Sequence, residues 1–215
     1  MVLTDRRMAT AAGHDLVEVV GAATAAGAPV VVFREKDLPR TVRHRLAEHL
    51  RAATAAAGAT LIVAGDVALA RAVRADGVHL AADDPWPDDA CAGLRVGRSC
   101  HTPRELVDAA TQGSVDYSTF SPVFPTTSKP GYGPALGIDG LATGCRAVAG
   151  AGSRLAVYAL GGIGPSQAAA CLAAGAAGVA VMGMVMRAAD PAAVVTSLRN
   201  EIAAASAAAA GRADG

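Results

Sequence analysis

The stretch that decides the fold is residues 155–183, which read LAVYALGGIGPSQAAACLAAGAAGVAVMG. A short apolar run, residues 155–160, leads through a glycine-rich turn into a segment with helical periodicity, residues 165–174, and a second apolar run follows at 177–182. Apolar runs of this length, bounded by turn residues, are typical of buried strands. A strand, a helix and a second strand in this order predict a βαβ unit with parallel strands and a right-handed crossover.

The same alternation recurs along the whole chain. Segments with helical periodicity cover residues 40–57, 103–111 and 191–209, among others. The predicted strands are residues 1–4, 29–34, 60–64, 77–80, 94–98, 115–120, 155–160 and 177–182. Eight strand–helix units in 215 residues favour one domain over residues 1–215, folded as a single (β/α)8 TIM barrel of the α/β class. An open flavodoxin-like sheet is the alternative, but it normally uses fewer strands. The Ala- and Gly-rich tail, residues 206–215, is expected to fray.

Composition narrows the classes of partner. Hydrophobic residues make up 52% of the chain and aromatic residues only 3%, so the core must be filled by Ala, Val, Leu and Ile, which suits buried parallel strands. The 19 basic and 19 acidic residues balance, which argues against a nucleic-acid partner and against binding to a membrane surface. With no signal-peptide pattern and no C-x-x-C pair, we expect a cytoplasmic protein with reduced thiols.

Glycines follow the last two predicted strands. Gly161-Gly162-Ile163-Gly164 comes after the seventh strand, and Val181-Met182-Gly183 ends the eighth. Backbone N–H groups of these two loops commonly form a phosphate site in barrels. Ordinary strand-to-helix turns also use glycine, so the pattern alone leaves both interpretations open.

Three cations are candidates for binding a diphosphate. Arg34 and Lys36, in Phe33-Arg34-Glu35-Lys36, end the second predicted strand, where two cations can clamp a diphosphate or form a solvated charge cluster. Lys129 lies in a long loop, residues 121–134, that follows the sixth strand. Loops of this length are usually functional or disordered, and active sites of barrels lie on loops at this end.

Acidic and imidazole side chains also follow the strands. Asp66 comes after the third strand and Asp84 after the fourth, where carboxylates can hold a magnesium ion that bridges phosphate oxygens. Asp66 is also a good helix N-cap, which is its alternative role. His79 and His101 are candidate acid–base groups with structural alternatives.

The motifs resemble those of thiamine phosphate synthase and its TenI-type relatives, a family of (β/α)8 barrels. The resemblance runs from Leu3-Thr4-Asp5-Arg6 to Ala189-Asp190-Pro191, in the order of the family. The matching blocks are Phe33-Arg34-Glu35-Lys36, Ala75-Asp76-Gly77-Val78-His79-Leu80, Gly97-Arg98-Ser99, Asp116-Tyr117, Pro122-Val123-Phe124-Pro125-Thr126-Thr127-Ser128-Lys129 and Gly161-Gly162-Ile163.

The resemblance implies a transferase of thiamine biosynthesis. Such an enzyme joins a hydroxymethylpyrimidine diphosphate to a thiazole phosphate and releases pyrophosphate, with Mg2+ as cofactor. By the same resemblance the diphosphate would be held by Arg34, Lys36, Lys129 and Ser99, the metal by Asp84, and the thiazole phosphate by Thr126, Thr127, Gly161, Gly162 and Gly183. Asp66 stays a second candidate for the metal because of its own position after the third strand. The partners would then be phosphorylated small molecules, and the Ala-rich helices are compatible with a homodimer.

Departures from the synthase pattern keep two alternatives open. Val32, Ala82 and the pair Ala64-Gly65 stand where synthases have polar residues, one of them an aspartate expected to bind magnesium at position 65. Arg98 and Gly65 resemble the TenI branch, which includes a thiazole tautomerase, yet Pro122 replaces the histidine of that isomerase. The alternatives are therefore a TenI-type tautomerase using Glu35 with His79 or His101, and a non-catalytic thiazole-phosphate-binding member of the family.

Overall fold

A computed structural model describes residues 1–126 and 134–213, with side chains up to residue 208. Eight parallel strands alternate with helices along the chain. The strands are β1 (Val2–Leu3), β2 (Val30–Phe33), β3 (Thr60–Ala64), β4 (Gly77–Leu80), β5 (Arg95–Cys100), β6 (Tyr117–Phe120), β7 (Ala156–Leu160) and β8 (Gly178–Ala180). The helices are α1 (Arg6–Ala11), α2 (Leu16–Ala25), α3 (Arg40–Ala56), α4 (Val67–Ala72), α5 (Pro103–Thr111), α6 (Gly137–Gly150), α7 (Pro165–Ala173), α8 (Gly183–Met186) and α9 (Pro191–Ala213).

The strands pair in sequence order and close into a barrel. Each strand pairs in parallel with the next, from β1 to β8. A bridge between Val2 and Val181 joins the two ends of the sheet, with the Leu3 N–H donating to the Val181 carbonyl at 2.8 Å. The predicted (β/α)8 TIM-barrel fold is therefore confirmed, and the open-sheet alternative is wrong because the sheet has its first and last strands bridged.

One predicted detail of the helices is wrong. The connection from β4 to β5 has no α-helix and contains one 3₁₀ turn, Asp89–Cys91, because Pro85 and Pro87 interrupt its sequence. Helix α9 extends to Ala213, in keeping with the high helix propensity of alanine, and fraying of residues 206–215 stays a prediction. No helix within the described ranges combines the length and apolar composition that a bilayer-spanning segment needs.

The barrel interior is filled by side chains from alternate strand positions. Leu3, Val32, Ile62, Ala64 and Ala180 form one buried cluster inside the barrel, while a larger cluster lies between the barrel and the helices. On the opposite wall the rings of two tyrosines, from β6 and β7, pack edge to face with their centroids 5.8 Å apart. This alternation places every second residue at a strand's carboxyl end in the mouth of the barrel.

Gly97 makes room for one of these tyrosines, and this generates a test of the interior packing. A Cβ at position 97 would overlap the ring of Tyr117. We therefore expect Gly97→Ala to lower the free energy of unfolding by about 1–3 kcal/mol, as overpacked cores do, measured by urea denaturation. Gly150→Ala is the control, because a Cβ there meets no atom within 4 Å. Equal stability of the two variants would contradict this packing.

Candidate active site

A cavity of about 700 Å³ opens at the carboxyl ends of the strands. Its size lies in the range of small-molecule sites. The predicted site residues that line it are Arg34, Ser99, Thr126, Gly161, Gly162 and Gly183. The structure thus brings together residues that lie far apart in the sequence, from the ends of β2, β5, β7 and β8 and from the loop after β6.

Arg34 and Lys36 are the two predicted cations at the end of β2. Nη1 of Arg34 contacts the sulfur of Met182 at 3.0 Å, and its backbone N–H donates to Thr4 Oγ1 at 3.0 Å. Lys36 is exposed, and its Nζ lies 2.6 Å from the point that a Cβ at Gly65 would occupy. Within the described residues neither side chain forms an ion pair. Both charges are therefore available to an anionic ligand.

The two candidate metal ligands are placed differently. Asp84 Oδ2 accepts the Ala81 N–H at 2.7 Å and lies 3.8 Å from the same Cβ point at Gly65, so the carboxylate is close to Lys36. Asp66 instead uses one oxygen to cap α4 at the Leu69 N–H, 2.8 Å away, and the other to pair with Arg43 at 2.9 Å. Both oxygens of Asp66 therefore serve the fold, as the N-cap of α4 and in the pair with Arg43, and its role as a magnesium ligand stays a prediction.

A magnesium ion fits these residues only with help from a ligand. Among the described residues, no three His, Cys, Asp or Glu side chains are grouped to hold a metal. Mg2+ is commonly bound by one or two carboxylates together with phosphate oxygens. Asp84 can supply one such carboxylate, and the oxygens of a bound diphosphate would complete the coordination.

His79 lies at the centre of a buried network of hydroxyl groups. Its Nε2 is 2.9 Å from Ser99 Oγ, and its Nδ1 is 3.1 Å from the hydroxyl of Tyr117. Burial, together with the nearby charges of Arg34 and Lys36, lowers the pKa of His79 from its usual 6.5 to about 3. The imidazole is therefore neutral at physiological pH, and it fixes the Ser99 hydroxyl at the wall of the cavity.

The other acid–base candidates are separated. Glu35 is buried outside the cavity, where it accepts the Arg6 N–H at 3.1 Å and burial raises its pKa. Glu35 thus does not line the cavity that His79 and His101 line, so the geometry does not support the tautomerase interpretation that pairs it with either histidine. His101 does line the cavity, and its Nδ1 lies 2.8 Å from the Ser121 carbonyl, which can only accept a hydrogen bond.

The loops after β6 and β7 are held together by their backbones. Val123 and Phe124 donate their N–H groups to the carbonyls of Leu160, at 2.9 Å, and Gly161, at 3.0 Å. Gly162 has a φ of +65°, and a Cβ there would come within 2.5 Å of the Pro125 carbonyl oxygen. Only glycine permits this approach. Of the remaining predicted residues, Thr126 lines the cavity, whereas Thr127 and Lys129 lie outside the described residues.

Arg187 is a cavity residue that the sequence did not reveal. Its guanidinium lies over Gly183, with Nη2 2.5 Å from the point that a Cβ at that glycine would occupy. Nη1 of Arg187 contacts the sulfur of Met8 at 3.0 Å. The signal available in the sequence was weak: an arginine four residues after a glycine that ends a strand.

The fold and the cavity define a (β/α)8 barrel whose site lies at the carboxyl ends of its strands, the arrangement found in barrel enzymes. Residues 1–185 match the model of the thiamine monophosphate synthase family, and the chain belongs to that family. A putative thiamine-phosphate synthase of Geobacter sulfurreducens is 40% identical over 195 residues, covering 88% of this chain and 87% of that protein. The thiamine-phosphate synthase of Roseiflexus castenholzii is 38% identical over 200 residues, covering 92% and 85%.

A solved structure agrees with this assignment. Thiamine phosphate pyrophosphorylase from Pyrococcus furiosus superposes with a TM-score of 0.82 at 30% sequence identity, covering 95% of both chains. The predicted family is confirmed by these similarities, which extend over nearly the whole barrel.

The neutral His79 makes stability depend on pH. Its pKa is about 3 in the folded protein and about 6.5 in an unfolded chain, so the unfolded state binds the proton more readily. The stabilisation from the neutral ring is complete above about pH 6.5 and is lost as the pH falls towards 3. We expect His79→Asn to reduce the fall in unfolding free energy between pH 6.5 and 4, a slope to which one proton contributes up to about 1.4 kcal/mol per pH unit.

The measurement is urea denaturation at a series of pH values. His49→Asn is the matched control, because His49 is exposed on α3. An unchanged pH slope in His79→Asn would show that the ring is protonated in the folded protein.

Proposed function

We propose that this chain is a thiamine-phosphate synthase, a transferase that couples hydroxymethylpyrimidine diphosphate with thiazole phosphate to give thiamine phosphate and pyrophosphate. The observation that carries the proposal is the cavity itself. It joins the unpaired cation Arg34 and the fixed hydroxyl of Ser99 to the glycine loops at Gly161 and Gly183, in a chain similar over most of its length to proteins named as synthases.

In this proposal the diphosphate occupies the side of β2 to β5. The bond between the pyrimidine methylene carbon and the diphosphate oxygen breaks, the diphosphate leaves with the electron pair, and the thiazole nitrogen forms the new carbon–nitrogen bond. Arg34 and Lys36 would stabilise the charge that develops on the leaving group, with Ser99 donating a hydrogen bond. Lys129 remains a third predicted cation for the same group.

The thiazole phosphate would occupy the side of β6 to β8. Backbone N–H groups near Gly161, Gly162 and Gly183 suit a phosphate monoester, as in other barrels, with Thr126 and Thr127 as predicted hydroxyl donors. Arg187, which lies over Gly183, adds a positive charge on this side. Catalysis would then consist mainly of holding two rings in line within a preorganised cationic site.

Magnesium is the proposed cofactor, with Asp84 as its protein ligand. When bound, the ion would neutralise charge on the departing diphosphate. Asp66, whose oxygens bind Leu69 and Arg43, is left out of the proposed site. The proposal also places the reaction in the cytoplasm, and the homodimer stays a prediction that light scattering can test.

One observation favours a second function, the binding of thiazole phosphate without catalysis. The ammonium of Lys36 occupies the space beside Gly65, where the synthase pattern has an aspartate, and the carboxylate of Asp84 lies nearby. A family member built in this way would bind thiazole phosphate without transferring the pyrimidine. Calorimetric binding of thiazole phosphate by a protein that forms no thiamine phosphate would support this alternative.

The synthase proposal is tested by mixing the purified protein with both substrates and Mg2+ and measuring thiamine phosphate. We expect product formation, and we expect Arg34→Met to lower kcat/KM by about 10²–10³-fold, the usual effect of removing a donor from developing negative charge. Arg104→Met is the control, since the Arg104 side chain is 91% exposed. No product above background in the unaltered protein would reject the synthase function.

The metal side is tested by restoring a second carboxylate. Gly65 has a φ of +65°, which aspartate and asparagine tolerate better than other side chains. We expect Gly65→Asp to lower the Mg2+ concentration for half-maximal activity by about tenfold, because two carboxylates bind the ion more tightly than one. Gly65→Asn has a side chain of the same shape but no charge, and it should leave the Mg2+ concentration for half-maximal activity unchanged. Equal effects of the two variants would contradict a metal site beside Asp84 and residue 65.

A further inference from the structure

The connection between β4 and β5 is irregular at the point where it carries Asp84. Residues 81–88 include no α-helix, and the 3₁₀ turn begins only at Asp89. Two of its residues, Pro85 and Pro87, have no backbone N–H to donate. Backbone carbonyls in such a segment need donors from elsewhere in the protein.

Arg98 supplies these donors. Its side chain extends from the middle of β5, and the residue is only 5% exposed. Its Nη2 donates to the carbonyls of Ala82 and Asp84, both at 2.7 Å, and Nη1 donates to the carbonyl of Pro85 at 3.3 Å. The guanidinium also stacks on Trp86, with Cζ 4.1 Å from the ring centroid.

The strand alternation keeps Arg98 away from the cavity. Ser99, the next residue, lines the cavity, so Arg98 points outwards beneath the loop and does not itself line the cavity. Arg98 forms no ion pair among the described residues, so carbonyl dipoles and one face of an indole replace the water that a buried cation loses. These contacts stabilise the buried charge of Arg98 only while residues 82–86 pack against its guanidinium.

We propose that Arg98 is a positioning residue, which holds the loop of residues 82–86 so that the carboxylate of Asp84 stays beside Lys36. The carbonyl of Asp84 is held by Arg98, and its carboxylate is held by the N–H of Ala81. The role of Asp84 itself, as ligand for a magnesium–diphosphate complex, rests on the function proposed above. Lysine cannot replace Arg98, because an ammonium lacks the planar fork that reaches several carbonyls and stacks on a ring.

The loop can be observed directly, because Trp86 is the only tryptophan of the chain. We expect the acrylamide quenching constant of its fluorescence to rise in Arg98→Met, by up to about twofold, since the guanidinium covers one of two ring faces. Arg98→Lys should give a similar rise. Arg95→Met is the control on the same strand, because Arg95 is exposed at the opposite end of β5. Unchanged quenching in Arg98→Met would overturn the proposal.

Calorimetry separates positioning from a general loss of stability. We expect Arg98→Met to weaken binding of inorganic pyrophosphate with Mg2+ by about tenfold or more, the usual effect of removing a group that orients a metal ligand. Binding of thiazole phosphate, on the far side of the barrel mouth, should stay unchanged. Equal weakening of both ligands would show a structural effect only and would overturn the positioning role.

A double-mutant cycle tests whether Arg98 acts through Asp84. If it does, Arg98→Met should weaken pyrophosphate–Mg2+ binding in the unaltered protein but add little in the Asp84→Asn background. Additive effects would place the influence of Arg98 elsewhere and overturn the proposal. If the unaltered protein binds no pyrophosphate, the proposed synthase function is rejected. The quenching of Trp86 fluorescence would still test whether Arg98 holds the loop of residues 82–86.

Discussion

The backbone bridge that joins β1 to the end of β8 is the constraint on which the rest of the structure depends. Because the Val2–Val181 bridge closes eight parallel strands, every strand ends at the same rim. Alternation then decides which side chains enter the mouth of the barrel. Arg34 and Ser99 point inwards and line the cavity, while their neighbours Glu35 and Arg98 point outwards and serve the helices and loops. A shift of one residue in any strand would exchange these roles.

The charged side chains at this rim of the barrel favour the binding of an anion. Arg34 and Arg187 contact methionine sulfurs, which are weak acceptors, and among the described residues no carboxylate neutralises them. Nearby cations disfavour one another, and a protonated His79 would add a further charge. Burial keeps that ring neutral, so it bonds Ser99 and Tyr117 without adding to the repulsion. The positive charge that remains is at the surface of the cavity, where an anionic ligand would relieve it.

Much of the fold could be predicted because strand length and helix periodicity are local properties of the sequence. The eight strands and the helix starting points at Arg40, Pro103 and Pro191 are found as predicted. Contacts between distant segments could not be predicted in this way. The position of Asp66 was visible in the sequence, but its pairing with Arg43, 23 residues away, required the register of α3 against β3. The family resemblance located the glycine loops and singled out Arg98, while the contacts of Arg98 and the place of Arg187 in the cavity follow from three-dimensional packing.

Different interactions hold the loops on the two sides of the cavity. They therefore place different restrictions on the residues that these loops can contain. On the side of β6 and β7, glycine is required, because a Cβ at Gly161 or Gly162 would meet the backbone of the neighbouring loop. On the side of β4 and β5, Arg98 stacks on Trp86 but donates its hydrogen bonds to carbonyl oxygens, which every residue possesses. Residues such as Ala82 can therefore change side chain without losing the hold on the loop, provided that the arginine remains. Variation on that side alters the ligand environment while leaving the backbone that presents Asp84 in place.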